Sequence, residues 1–179
     1  SRGAELLRQG DVGSIQVLMP GKQSAPEVRA LLLATLFLVA GIVVYVVDRG
    51  PAVFFLAAWP FEPAAPALLG PLGDHLPTLL HPLVFILITV AVLRPWPRTL
   101  PLICAAWFTI ECLFELGQMT PFDTHIAAAM SPWLDSAPTI QIAVDYFTRG
   151  TFDPLDILSI AIGTVIAYLL ARSFLQGES

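Results

Sequence analysis

The chain is laid out as long apolar runs separated by polar breaks. Ala30 to Val47 carries no charge and closes at Asp48-Arg49. Leu76 to Leu93 is a second run, a third starts near Leu100 and fades at Gly117-Gln118, and a fourth begins at Asp153-Pro154 and reaches about Leu170. Roughly 18 to 20 apolar residues cross a bilayer core as a helix, so each run predicts a membrane span. The expected fold is all-α, a four-transmembrane-helix bundle with spans at about 30-48, 76-93, 100-118 and 154-171. These form one transmembrane domain over 30-175 behind a polar N-terminal tail over 1-29.

The breaks refine this frame. The tail is rich in Gly, Pro, Ser and Gln, with a weak helix expected over Ala4 to Gln9. It lacks the short apolar core and small-residue cleavage site of a secretory leader. Ser24 as N-cap with Glu27 three residues on predicts the start of the first helix. Pro51 to Trp59 is apolar but too short to span, and is expected to lie along the interface or to dip in and return. Met119 to Phe152 is long for a connection. Within it Ile140, Ala143, Val144 and Phe147 recur at helical spacing, which predicts a short amphipathic helix on the membrane surface.

Basic residues set the expected orientation. Arg2, Arg8, Lys22 and Arg29 precede the first span, Arg94 and Arg98 lie between the second and third, and Arg172 follows the fourth. Arg49 and Arg149 fall on the other side. Positive-inside counting puts both termini and the Arg94–Arg98 turn in the cytoplasm and the two long loops outside.

Composition agrees: 56% of the residues are hydrophobic and 13% charged, against about 25% charged in soluble domains. The net charge of −5 and the lack of a basic stripe exclude a nucleic-acid partner. Cys104 and Cys112 lie eight residues apart on one expected helix, about 12 Å along its axis, too far to bridge each other.

Charge inside the apolar runs changes the picture more. Acidic groups within a span are expensive and persist only where they face a bundle interior, a partner or water. With the orientation above, Glu111, Glu115 and Gln118 lie in the outer half of the third span on one helix face, at i, i+4 and i+7. His81 lies about a turn and a half inside the second span, and Arg149, Asp153 and Asp156 enter the fourth from the same side. These residues are expected to form a polar cluster near the outer surface. Asp153-Pro154 with Asp156 also reads as an N-cap, N1 and N3 helix start, and Glu115 with Arg149 as a plain ion pair. His75 and His125 read as loop residues, so His81 lacks the second axial partner a membrane haem needs. There is no metal-ligand spacing such as CxxC or HExxH, and Ser159 lacks a nucleophile's context. Neither a metal, a cofactor nor a catalytic residue is expected.

The C-terminal two thirds resembles the VanZ-like family of small bacterial membrane proteins. His81-Pro-Leu-Val-Phe85 matches its His with an aromatic four residues on, and Glu115-Leu-Gly-Gln118 its Glu-x-x-Gln. Arg149-Gly-Thr-Phe-Asp153-Pro-Leu-Asp156 with Gly163 matches its Arg, Asp and glycine-containing last span. The chain departs from the pattern at Pro77 and Thr78, where the family has Asp-Lys, and at Ile160, where it has Asn. The resemblance implies a bacterial cytoplasmic membrane and a role near cell-envelope precursors.

Two functions follow. The first is a non-catalytic accessory or scaffolding subunit of a membrane complex, or a cell-envelope factor, with membrane lipids and neighbouring subunits as partners. The alternative is an enzyme or transporter acting on a phosphate-bearing or polyprenyl lipid in the outer leaflet, with Glu111 or Glu115 as general base and Arg149 holding the phosphate.

Overall fold

The computed structural model describes residues 25–49, 68–134 and 138–176. The expectations at Ala4–Gln9, Ser24 and Pro51–Trp59 lie outside those residues. The described residues form six α-helices: α1 Ala25–Val44, α2 Pro71–Leu93, α3 Leu100–Gly117, α4 Phe122–Met130, α5 Pro138–Arg149 and α6 Pro154–Gln176. Among the described residues there is no strand. Among them four helical stretches are long and apolar enough to cross a membrane: Pro26–Asp48, Pro71–Leu93, Pro97–Gly117 and Pro154–Gln176.

Half of the α2 span is buried inside the protein, against 22% for each of the other three. α2 is therefore the hub. It packs most heavily on α6 and α1, while α3 lies across α6 and α2. The α2–α6 pair forms the short diagonal of the bundle, and α1 and α3 occupy the opposite corners. Apolar burial gives little drive for helix association when the solvent is lipid, so close backbone packing decides the partner. α6 supplies it with Ile160, Gly163, Ala167 and Ala171, all buried on one face. Leu83, Ile86, Leu87 and Val90 of α2 fill the notch, with Leu100 and Cys104 of α3 and Ala34 of α1 closing the core.

At Gly163 the approach is closest. A Cβ there would land on the carbonyl oxygen of Leu79 and lie 3.2 Å from Pro82 Cγ. Pro82 sits inside α2, where its missing N–H leaves the Thr78 carbonyl without its usual helical donor. Spanning helices tolerate this when neighbours cover the break.

The helix ends are tied down by polar contacts. α1 ends in a π-helical turn, Tyr45–Arg49. There Asp48 accepts hydrogen bonds from the N–H of Leu68 (2.9 Å) and Leu69 (3.1 Å), joining the exit of α1 to the entry of α2. At the other end Glu27 pairs with Arg94, so the first turn of α1 holds the last of α2. Trp107 Nε1 donates to Thr89 Oγ1 (3.0 Å), whose hydroxyl donates to the Phe85 carbonyl (2.7 Å). That relay fixes α3 against α2 and stacks Phe85 on Trp107 at 4.7 Å.

Candidate functional site

The expected polar residues are distributed among three places. The first is the entry of α6. Asp153 Oδ1 accepts from Leu155 N–H at 2.8 Å, the capping role that the Asp-Pro start predicts. Asp156, one turn deeper, reaches across the bundle to His75 Nδ1 at 2.9 Å. His75 is the first correction to the sequence reading. It is not in a loop, because α2 begins at Pro71, five residues before the apolar run. Gly70-Pro71 places proline at the first helical position and Asp74 in the first turn, and both are start signals visible in the sequence. His125 likewise lies in a helix, α4.

The second place is the C-terminal end of α3. Glu111, Glu115 and Gln118 face the same neighbour, Tyr146 of α5. Glu115 is buried, 8% exposed. α5 is the amphipathic helix that the Ile140, Ala143, Val144, Phe147 spacing predicts, now bounded as Pro138–Arg149 and joined by α4. It docks through rings. Phe147 stacks on Phe114 with centroids 5.8 Å apart, and Tyr146 meets both edge-on. Gly117 makes room: a Cβ there would come within 2.6 Å of the Phe147 ring. The Gln118 amide oxygen packs against Gly150 in the same way.

Tyr146 is not among the expected site residues, since it falls just off the apolar stripe of α5. Burial, reinforced by the Glu115 carboxylate, pushes its phenol up to about 12, while a hydrogen bond with Gln118 works the other way. The neutral phenol is thus favoured by folding. Its contribution to stability is complete below pH 10 and is lost as pH rises through about 12. Ultraviolet titration should show one of the three tyrosines ionising near pH 12. That phase should vanish in Tyr146→Phe and move down in Glu115→Gln. A single phase for all three tyrosines near pH 10 would refute the arrangement.

Arg149 is the second correction. It does not pair with Glu115; its guanidinium is 78% exposed and lies 3.4 Å from Asp145, one turn back on α5. It sits at the rim of the α3–α5 junction rather than inside the cluster.

The third place holds His81 alone. Its side chain lines a cavity of about 150 Å³ between α1 and α2, bounded by Gly41, Tyr45, Leu80, Val84 and Phe85. The imidazole stands 6.1 Å from the Phe85 ring. Among the described residues no group of three or more His, Cys, Asp or Glu is placed to hold a metal ion. The sequence matches no family model, no curated protein and no solved structure.

Proposed function

We propose that this chain is a non-catalytic membrane protein of the VanZ-like type, an accessory or scaffolding subunit of a larger complex or a cell-envelope factor in a bacterial cytoplasmic membrane. Both termini then face the cytoplasm, and α4 and α5 form an external cap. The observation that carries this reading is how the polar side chains are used. Asp156 holds His75, Asp153 caps α6, Arg149 lies against Asp145, and Glu27 holds Arg94. The Asp156, Asp153 and Glu27 contacts each position a helix end, the Arg149 contact stays within α5, and among the described residues none of the four leaves an acid, a base and a phosphate-binding cation facing one space. Polar contacts of this kind set helix register in membranes, each worth about 0.6 to 2 kcal/mol. The cap also presents Phe122 and Trp133 outward, surface suited to a neighbouring subunit or the interface.

A second reading keeps the lipid enzyme, and the buried Glu115 beside Tyr146 is the observation that favours it. Against it stands Arg149, exposed and held within its own helix, the one cation this reading offers a phosphate. Extraction in a mild detergent, native mass spectrometry and lipid analysis separate the two. The scaffold reading expects stoichiometric co-purification with other membrane subunits. A lone chain carrying one phosphate-bearing polyprenyl lipid, lost in both Glu115→Gln and Arg149→Gln, would overturn it.

A further inference from the structure

We infer that the end of the bundle where α1 and α3 begin and α2 and α6 end is a binding surface for anionic phospholipid, its phosphate held by guanidinium groups of the Arg94–Arg98 turn. Arg29, Arg94, Arg98 and Arg172 all lie at this end, each within four residues of the end of a span, the depth of the headgroups. All four are exposed. Among the described residues Glu27 is the one acid there, while Asp48, Asp74, Asp153 and Asp156 lie at the opposite end. Contacts join these cations into one surface. Glu27 ties the start of α1 to Arg94, and Pro97 faces Leu175 of α6 across a small recess beside that pair. Within the pair the Arg94 side chain is still 69% exposed, and a guanidinium has five N–H donors, so donors remain for a second oxygen.

The form of the surface selects the partner. The recess has a volume of about 130 Å³, well under the roughly 300 Å³ of a pocket that encloses a small molecule. A soluble metabolite is therefore not taken in, and the occupant lies on the surface. There guanidinium donors and apolar side chains are adjacent. Trp96 stands exposed between Arg94 and Arg98, on a turn that Pro95 and Pro97 stiffen. Val92, Leu93 and Leu102 are exposed along the spans just inside the turn. A phospholipid matches both features. Its phosphate meets the planar guanidinium fork, its glycerol lies beside the indole, and its acyl chains run along Val92, Leu93 and Leu102. Zwitterionic lipid offers the same phosphate but brings a cation of its own, which the arginines repel. Lipid with net negative charge is thus favoured. Neither the side of the membrane this end faces nor the presence of subunit partners alters that preference.

The test uses the full chain in detergent micelles doped equally with phosphatidylglycerol and phosphatidylcholine, with bound lipid counted by native mass spectrometry. Phosphatidylglycerol should be retained over phosphatidylcholine by about tenfold or more. Arg98→Gln should lower that ratio about fivefold, the worth of one basic residue beside an anionic surface. Arg29→Gln, Arg98→Gln and Arg172→Gln combined should bring it close to parity. Arg94 is kept, because its loss would also release Glu27 and the start of α1. Arg149→Gln removes the same charge from the opposite end and should leave the ratio as in the parent. Parity in the parent, or equal falls in Arg98→Gln and Arg149→Gln, would overturn the assignment. So would an acidic soluble protein, captured through Trp96→Cys by cross-linking in native membranes, that shuts out phosphatidylglycerol.

Discussion

Replacing Gly163 by alanine should destabilise the bundle by about 2 to 3 kcal/mol, and replacing it by leucine should prevent assembly of α6 on α2. The sign is informative. In an unpacked helix, glycine to alanine gains up to about 1 kcal/mol. Here the added methyl falls on the Leu79 carbonyl oxygen, a backbone atom with no rotamer to escape through, and beside Pro82. α2 and α6 must separate, and Leu83, Ile86 and Leu87 lose close packing against Ala167 and Ala171. Gly41→Ala is the matched control, because its new methyl makes an ordinary contact with Leu80. It should be neutral or stabilising. Equilibrium unfolding in mixed micelles, followed by circular dichroism, measures both. Equal effects at the two glycines would show that the α2–α6 seam is not the closest packing in the bundle.

The four spans are readable in the sequence because hydrocarbon thickness is a strict physical constraint. An uncharged run as long as Ala30 to Val47 matches the bilayer core in length and would be hard to keep soluble in water. The helix ends are less readable, for the same reason. Apolarity marks the part of a helix inside the core, whereas α2 starts at Pro71 and α6 runs on to Gln176. The α2 extension is held by the His75–Asp156 bond and the α6 extension by Phe174 and Leu175 packed against the core, contacts that hydropathy does not record. α4 escapes the apolar pattern although Thr120-Pro121-Phe122-Asp123 carries a polar start with an acid in the first turn. Nine residues with a weakly apolar face leave little periodicity to detect.

The candidate cluster is legible as a set of depths, not as a set of contacts. Glu111, Glu115 and Gln118 share a face because helical geometry dictates it. Which neighbour they face depends on how α5 folds back, and that is settled by ring packing of Phe114, Tyr146 and Phe147 around Gly117. By charge alone Arg149 is the natural partner of Glu115. An acid one turn back on its own helix is closer than one on another element, so Asp145 takes it. His81 and Asp156 both belong by position to the half of the bundle where α6 begins, yet His81 faces α1 and Asp156 faces His75. Depth follows from sequence position, but the direction around a helix needs the packing of the whole bundle.

His75 and Asp156 should behave as one unit. Each is partly buried, 24% and 16% exposed, and the 2.9 Å bond joins the first turns of the two helices that form the hub. Truncating one partner leaves the other polar group half-buried with its best contact gone, a loss of about 2 kcal/mol. His75→Ala and Asp156→Ala should therefore each cost that much, and the double variant little more than either. The resulting coupling is about 1 to 2 kcal/mol. Asp153 supplies the contrast. Its carboxylate caps the backbone of its own helix, so Asp153→Ala should cost about 1 kcal/mol and add to His75→Ala within a few tenths. Unfolding in mixed micelles again gives the four corners of each cycle. Additive losses for His75 and Asp156 would mean that the two side chains act separately and that α6 is registered on α2 by the Gly163 notch alone. Strong coupling would mean that the polar pair at the helix entry and the glycine deeper in the seam set the same register from two heights, which makes a slip of one helix along the other costly.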